Sequence, residues 1–409
     1  MTEPAETPEA QVPERVPFAQ RYALWQRSGG IATPLATAIL AFVMGGMVVL
    51  ATGHNPLQTY RSIFDGSGLN WLFPWVSGAA RQTAASDLQE TGLLMIPLIL
   101  TGLAVAFAFR CGLFNIGGQG QYIVGIVTGT QMGVWLGSVP GPVHVFIAIA
   151  AATLAGALWG GIAGFLRATV GAHEVISTIM LNWIAIWVGT YLIGFGGPLQ
   201  DHSQPGVPVS REIAPNAHLH VFWGNPYLQG LDIGFFIALA MLVVYWLIIR
   251  RTTLGFEVRA VGFSPEAART AGIGVARNYF LAMAISGAFA GMAGALDILG
   301  WQFRLDVTTI QIASQMAFTG IAVALLGRNT AIGTLLGAVL FAALLNGTST
   351  ANLDPNVFPP QLAGNLTRII QGLVVLFIGA DVLVLYVWNL RRKARIRRRP
   401  PQAPAPVTE

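Results

Sequence analysis

The stretch "LLMIPLILTGLAVAFAFRCGLFNIGGQGQ" (residues 93–121) joins an uncharged apolar run to a polar, glycine-rich segment. Residues 93–109 reach the length of about 17 to 25 apolar residues that a transmembrane helix requires. Arg110 ends this run, and residues 111–121 then bring in glycines, an asparagine and glutamines. Non-helical backbone at membrane depth occurs only where it is buried in protein or lines a watery cavity. The stretch therefore predicts a membrane helix, followed by a break with a structural or functional purpose.

The composition is that of an integral membrane protein. Of the 409 residues, 54% are hydrophobic and only 10% are charged, whereas a soluble domain carries about 25% charged residues. The net charge of +5 does not indicate nucleic-acid binding, because the arginines cluster at the ends of apolar runs. Cys111 is the single cysteine and cannot form an internal disulfide.

Apolar runs recur along the chain and predict an all-α, polytopic membrane protein with about ten transmembrane helices. The third and ninth are the weakest because they are short and interrupted by glycine. The predicted spans are residues 34–51, 93–109, 119–137, 145–166, 175–195, 233–249, 279–298, 307–327, 331–348 and 369–388.

The distribution of arginine predicts the orientation of these spans. Lys and Arg accumulate on the cytoplasmic side of a membrane protein. With both termini cytoplasmic, most of the 23 Lys and Arg residues lie inside, and the external segments hold only Arg61, Arg81, Arg211, Arg304 and Arg368.

The chain divides into a membrane domain and two tails. Residues 1–30 are acidic and proline-rich, which predicts a disordered cytoplasmic tail, and residues 391–409 form a basic cytoplasmic tail. The transmembrane domain covers residues 31–390, with external loops at 52–92 and 196–232 and a cytoplasmic loop at 250–278.

Two short segments repeat one another. "TGLAVAFAFR" (101–110) and "TGIAVALLGR" (319–328) agree at their first residues and again at the final arginine, and both run from outside to inside. Duplicated halves are common in transporters, but glycine and alanine also agree by chance. Both explanations stay open.

The cytoplasmic loop contains a short predicted helix, "SPEAARTAG" (264–272). Ser264 is a good N-cap, Pro265 suits the first helical position, and Glu266 complements the positive end of the helix dipole. Gly272 is expected to end the helix, leaving a smooth face of Ala267, Ala268 and Ala271. On the residues alone, this segment is either a docking helix for another protein or a solvated connection.

The loop resembles the E-A-A-x-x-x-G coupling loop of ABC-importer permeases. The matching residues are Glu266, Ala267, Ala268 and Gly272. Two further stretches, "GLFNIGGQGQ" (112–121) and "HEVISTIMLNWIA" (173–185), are similar to signatures of the permeases that serve nucleoside and simple-sugar importers, within the branched-chain-amino-acid/ribose-type family. The resemblance covers about residues 90–390.

This resemblance implies a permease subunit in a bacterial inner membrane. Its partners would be cytoplasmic ATP-binding subunits, a second permease subunit (a copy of itself or a different chain), and an external solute-binding protein or lipoprotein. The chain would be a non-catalytic subunit without a cofactor of its own, with ATP and Mg²⁺ held by the partner ATPase. A G-x-x-x-x-G-K-[ST] motif is impossible here, because Lys393 in the basic tail is the only lysine, and no H-E-x-x-H zinc motif occurs.

Uncharged polar side chains within or beside the spans are the candidates for the solute path. They can donate and accept hydrogen bonds without charge, which suits a neutral, hydroxyl-rich or heterocyclic solute. Packing between helices, or a gate near the inner face, explains the same residues equally well. The candidates are Asn115, Gln119, Gln121, Asn182, Gln311 and Gln315.

The sequence favours an ATP-driven importer of a nucleoside or simple sugar. The alternative is a secondary transporter for a neutral solute that needs no ATPase. Ion-coupled carriers usually place carboxylates near the bilayer midplane, and the predicted spans contain few. A membrane-embedded enzyme is disfavoured, because this sequence contains no catalytic constellation.

Overall fold

The computed structural model describes residues 32–225, 230–359 and 362–377, without the side chains of residues 32–37 and 311–315. Both predicted tails, 1–30 and 391–409, lie outside the described residues. The described residues form a helical bundle with one antiparallel two-stranded ribbon, made of β1 (Val221–Trp223) and β2 (Leu231–Asp232). The helices are α1 (Ala32–Ala51), α2 (Pro56–Gly66), α3 (Gly78–Arg110), α4 (Gly118–Trp135), α5 (Gly141–Val170), α6 (Glu174–Ile193), α7 (Gly234–Arg251), α8 (Thr253–Phe263), α9 (Pro265–Thr270), α10 (Val275–Asp297), α11 (Val307–Leu326), α12 (Ala331–Gly347) and α13 (Leu362–Phe377).

The prediction of an all-α, polytopic membrane protein is confirmed. Among the described residues, five helices are long and apolar enough to cross a bilayer: α3, α5, α6, α7, and α10 with the π-turn that follows it. Residues 38–51 of α1 form a further candidate together with α2, although the pair is bent by 116°. The predicted spans 119–137 and 331–348 coincide with α4 and α12, which are less apolar or shorter than these five helices. The predicted spans 307–327 and 369–388 are only partly described, so ten spans stays a prediction.

Helix α3 is the central element of the bundle. Its most apolar window is 89% buried within the protein, whereas the corresponding windows of α5, α6 and α7 are 28% buried. Its side chains contact neighbours on every side, as at Leu98, Leu100 and Leu103, which have no exposed surface. The peripheral helices instead direct large apolar side chains outward, which suits contact with lipid.

Close backbone approach holds α5 against α10. A Cβ atom at Gly156 would collide with the carbonyl oxygen of Gly287, and one at Gly291 would lie 2.5 Å from the carbonyl oxygen of Ala152. Lipid tails are as apolar as leucine side chains, so helix association in a membrane depends on such tight packing rather than on the hydrophobic effect.

Contacts between connecting segments occur at both ends of the bundle. At one end, the Thr91 hydroxyl donates to the carbonyl oxygen of Ser67 at 2.7 Å, and Trp71 lies 5.2 Å from Trp223, ring centre to ring centre. At the other end, Arg110 donates to the carbonyl oxygen of Asn329 from Nε at 3.1 Å and from Nη2 at 2.5 Å. These contacts join the segments 52–92 and 196–232 at one end and the ends of α3 and α11 at the other, while the alternation of the loops across the membrane stays a prediction.

The segment 196–232 packs along the chain that leaves α10. The backbone amides of Ser210, Ile213 and Leu219 donate to carbonyl oxygens of Leu305, Phe303 and Leu299 at 2.8, 2.9 and 2.9 Å. Its described residues therefore cover the ends of α4 and α10 as an ordered layer.

Candidate functional site

The break after α3 folds into a buried polar network. Asn115 Nδ2 donates to Gln121 Oε1 at 2.8 Å and to Ser286 Oγ at 2.7 Å, and Gln121 Nε2 donates back to Asn115 Oδ1 at 3.2 Å. The Ser286 hydroxyl donates in turn to the carbonyl oxygen of Ala104 at 2.5 Å. At most 1% of Asn115, Gln121 or Ser286 is exposed, so α3, α4 and α10 meet at a water-excluded cluster of satisfied polar groups.

Asn182 of α6 joins the same region. Its Oδ1 accepts from the backbone amide of Gly120 at 2.8 Å, and its Nδ2 donates to the carbonyl oxygen of Ile116 at 2.9 Å. The first backbone amides of a helix have no partner within the helix itself. Asn182 therefore caps the start of α4 from a neighbouring helix and fixes α6 against the break.

Two glycines of the opening stretch are explained by these contacts. A Cβ atom at Gly117 would lie 2.9 Å from the Thr178 Cβ atom, and one at Gly120 would lie 3.0 Å from Asn182 Oδ1. Both distances are shorter than ordinary van der Waals contact. Glycine is thus required for α6 to approach closely enough for the Asn182 hydrogen bonds.

The structure brings some of the predicted path residues together and leaves others apart. Asn115, Gln121 and Asn182 share one buried region and use their amides on protein groups. Gln119 is also buried, at 6% exposed, and has an interaction partner. The side chains of Gln311 and Gln315 lie outside the described residues. Whether any of these residues lines a solute path stays a prediction.

Sequence reasoning missed Ser286, and it noted Thr178 one turn before Asn182 without making it a candidate. Ser286 completes the hydrogen bonding of Asn115, and Thr178 contacts the glycine turn; neither has exposed surface. Small polar residues in apolar helices usually bond across helices. That signal was present in both spans, although nothing in the sequence links either residue to Asn115.

The predicted coupling segment forms the helix α9, which directly follows α8 in the chain. Ser264 Oγ accepts from the backbone amide of Ala267 at 3.3 Å, and Pro265 occupies the first turn. Gly272 follows the helix with a φ of 80°, a left-handed conformation that side chains rarely adopt. The cap and the terminator are confirmed.

The face of α9 differs in part from the expectation. Glu266, Ala267 and Ala271 are exposed, but Ala268 turns inward and is only 3% exposed. Phe263, directly before the cap, is 92% exposed and was not singled out from the sequence. The exposed surface of α9 and the residue before it therefore combines the small alanine side chains with a carboxylate, Glu266, and an aromatic ring, Phe263.

Helix α8 connects α9 to the break. A Cβ atom at Gly262 would collide with the carbonyl oxygen of Arg110, so the two backbones touch. Asn278 Nδ2 donates to Glu257 Oε2 at 3.1 Å, and the Cys111 thiol donates to the carbonyl oxygen of Asn278 at 3.7 Å. The loop that carries α9 is thus anchored on the chain segment that leads into Asn115.

Comparison with known proteins decides the family. Residues 90–379 match the model described as "Branched-chain amino acid transport system / permease component". The chain belongs to this family. The match confirms the predicted resemblance to ABC permeases over nearly the same residues.

Several ABC transporter permease proteins are similar to the chain along most of their length. The guanosine ABC transporter permease protein NupP of Bacillus subtilis is 35% identical, over 90% of this chain and 98% of that protein. The nucleoside ABC transporter permease protein NupB of Lactococcus lactis is 32% identical, over 87% and 92%. The glucose ABC transporter permease protein TsgB13 of Haloferax volcanii is 33% identical, over 85% and 86%.

Among the described residues, no group of three or more His, Cys, Asp or Glu side chains is placed to hold a metal ion.

Proposed function

We propose that this chain is the membrane-spanning permease subunit of an ATP-driven importer for a neutral nucleoside or simple sugar in a bacterial inner membrane. The observation that carries the proposal is the exposed, capped helix α9, which directly follows α8, whose Gly262 backbone touches Arg110 at the end of α3. The names of the relatives, which specify guanosine, nucleosides and glucose, support the solute class.

The packing supports a mechanical role for α9. Separate ATPase subunits hold ATP and Mg²⁺ and move the helix that they bind. Because protein interiors are close-packed, a displacement of α9 is passed on through α8 to Arg110 rather than absorbed. Arg110 adjoins the segment that carries Asn115 and Gln121, whose hydrogen bonds tie α4 to α10. Closing and opening of the permease then follow the nucleotide state of the partner.

The assembly needs further subunits. A second permease, either a copy or a different chain, completes the transmembrane unit, and an external binding protein or lipoprotein delivers the solute. This chain contributes the alternating-access pathway and the coupling helix.

Uptake into proteoliposomes tests the proposal. The chain is reconstituted with its partner ATPase and binding protein, and entry of radiolabelled guanosine and glucose is measured with and without ATP. ATP-dependent entry of at least one solute is expected, unchanged by a protonophore. Entry that proceeds without ATP and collapses with the protonophore contradicts the proposal and favours a secondary carrier.

A further inference from the structure

A polar cleft opens at the end of the bundle that is predicted to be external. It has a volume of about 690 Å³ and lies between α2, the first turns of α3 and the segment 352–357. Small-molecule sites usually enclose about 300–1,000 Å³. The cleft is lined by Arg61, Asp65, Asn70, Asp87, Asn352 and Asp354, among others.

The cleft contains hydrogen-bond donors and acceptors that the protein's own groups do not fully use. The Asp87 carboxylate is half-buried and accepts no hydrogen bond from the described residues, and Asn70 Oδ1 is buried without a partner. Arg61 lies on the opposite wall, 4.0 Å from Asp65 and largely exposed. A hydroxyl group both donates and accepts, so a pair of adjacent hydroxyls matches such a lining better than a simple ion does.

The buried side chain of Asn346 holds the walls of the cleft in place through hydrogen bonds. Asn352 Nδ2 donates to Asn346 Oδ1 at 2.8 Å, and Asn346 Nδ2 donates to the carbonyl oxygen of Asp87 at 2.7 Å. Asn346, at the end of α12, is 1% exposed. One buried amide thus ties the two polar walls together and preorganises the lining.

We propose that this cleft is an outer binding site for the sugar moiety of the solute, which it recognises through two adjacent hydroxyls. The inference rests on the proposed function for the solute class. Three carboxylates against one guanidinium make the cleft anionic overall, so it accepts neutral nucleosides and sugars and repels their phosphorylated forms.

Binding to the purified full chain, without ATPase or binding protein, tests the site. Saturation-transfer NMR is used with guanosine, glucose, 2′,3′-dideoxyguanosine and guanosine monophosphate as probes. Guanosine and glucose are expected to bind through their sugar protons. The dideoxy and phosphorylated compounds should bind at least threefold more weakly.

Two variants and a matched control locate the binding. Asp87→Asn and Asp65→Asn should each weaken guanosine binding roughly threefold to tenfold, the range for one hydrogen bond. Asp201→Asn makes the same chemical change on a carboxylate of the segment 196–232, outside the cleft, and should have no effect on guanosine binding. Thermal unfolding of each variant checks that the fold is retained, and Asp65, which is half-exposed, is the variant that tolerates the change most easily.

Each contrary result has a distinct meaning. Equal binding by wild type and both cleft variants, or equal binding of the dideoxy compound, overturns the site. No binding of guanosine or glucose to wild type also overturns it, whereas ATP-driven uptake in the complete assembly would leave the proposed function intact. Calcium binding that is lost in Asp87→Asn, without any effect on guanosine, identifies a cation site instead.

Discussion

Asn115 and Gln121 hydrogen-bond to each other in both directions, at 2.8 and 3.2 Å, and so close the break between α3 and α4. A reciprocal amide pair of this kind, fully buried, holds two helix ends in one register. Experiments can distinguish a packing role from a path-lining role for these residues, because loss of packing lowers stability whereas loss of a path contact lowers uptake.

Removal of one amide from the pair should destabilise the protein. Asn115→Ala removes both hydrogen bonds that the Gln121 amide makes to Asn115 and the one that Ser286 Oγ accepts, and each amide atom of Gln121 left buried without a partner costs about 1–3 kcal/mol. We expect a clear drop in the thermal unfolding temperature in detergent, and a double-mutant cycle with Gln121→Ala should give a non-additive coupling. Unchanged unfolding together with impaired uptake would assign the pair to the solute path.

Disruption of α9 should uncouple ATP hydrolysis from uptake. Glu266→Lys reverses a charge at the positive end of the helix, and Gly272→Trp places a bulky side chain at a φ of 80°. A docking loss of about 1.4 kcal/mol corresponds to tenfold weaker coupling. Uptake with the partner ATPase should fall by about that factor, while membrane insertion is retained.

Two controls accompany the α9 variants. Gly272→Asn retains uptake, since asparagine tolerates the left-handed conformation, and Glu212→Lys alters an exposed carboxylate at the other end of the bundle without effect. Normal uptake by Glu266→Lys and Gly272→Trp would show that α9 does not couple to the ATPase.

The topology is testable with single cysteines in a Cys111→Ser background. His202→Cys and Ala267→Cys lie at opposite ends of the bundle and both positions are exposed. A membrane-impermeant maleimide should label residue 202 in intact cells and residue 267 only after the membrane is opened. Labelling of both residues from the same side is incompatible with the ten-span arrangement.

Asp232 should make stability depend on pH. Its carboxyl is fully buried, Oδ1 accepts from the Gly234 amide at 2.6 Å, and Oδ2 has no hydrogen bond. Burial raises its pKa from 3.8 to about 7, helped by the neighbouring Asp297 and opposed by the Gly234 amide. The folded state therefore retains a proton that the unfolded chain loses, so this contribution to stability is complete below pH 3.8 and disappears as the pH rises through about 7.

The measurement is thermal unfolding in detergent at pH 5 and pH 7, both within the window between the unfolded and folded pKa values of Asp232. Between pH 3.8 and about 7, wild type should lose up to about 1.4 kcal/mol of stability for each pH unit, which lowers the unfolding temperature by a few degrees, and above pH 7 this group should add no further loss. Asp232→Asn keeps the Oδ1 acceptor but has no charge, and it should reduce this loss. An equally steep decline in Asp232→Asn would place the responsible group elsewhere.

Predictions that depended on local chemistry agree with the structure. Apolar runs become helices because a bilayer leaves backbone groups no partner but their own chain, and a helix occupies each predicted span within the described residues. The cap at Ser264 and the stop at Gly272 depend on residues a few positions away. The E-A-A-x-x-x-G pattern of residues 266–272 is likewise local, and it carries part of the resemblance to ABC-importer permeases.

The tertiary structure decided which polar groups find partners. Asn115 looks the same in the sequence whether it faces a solute or Gln121, and only the packing of α3, α4 and α10 places Ser286 beside it. The outer cleft joins Asp65, Asp87 and Asn352, which are far apart in the chain and meet because α12 packs against α3. Hydropathy and capping are set by near neighbours, but hydrogen-bond partners across helices are set by which helices touch, and that is determined by the bundle as a whole.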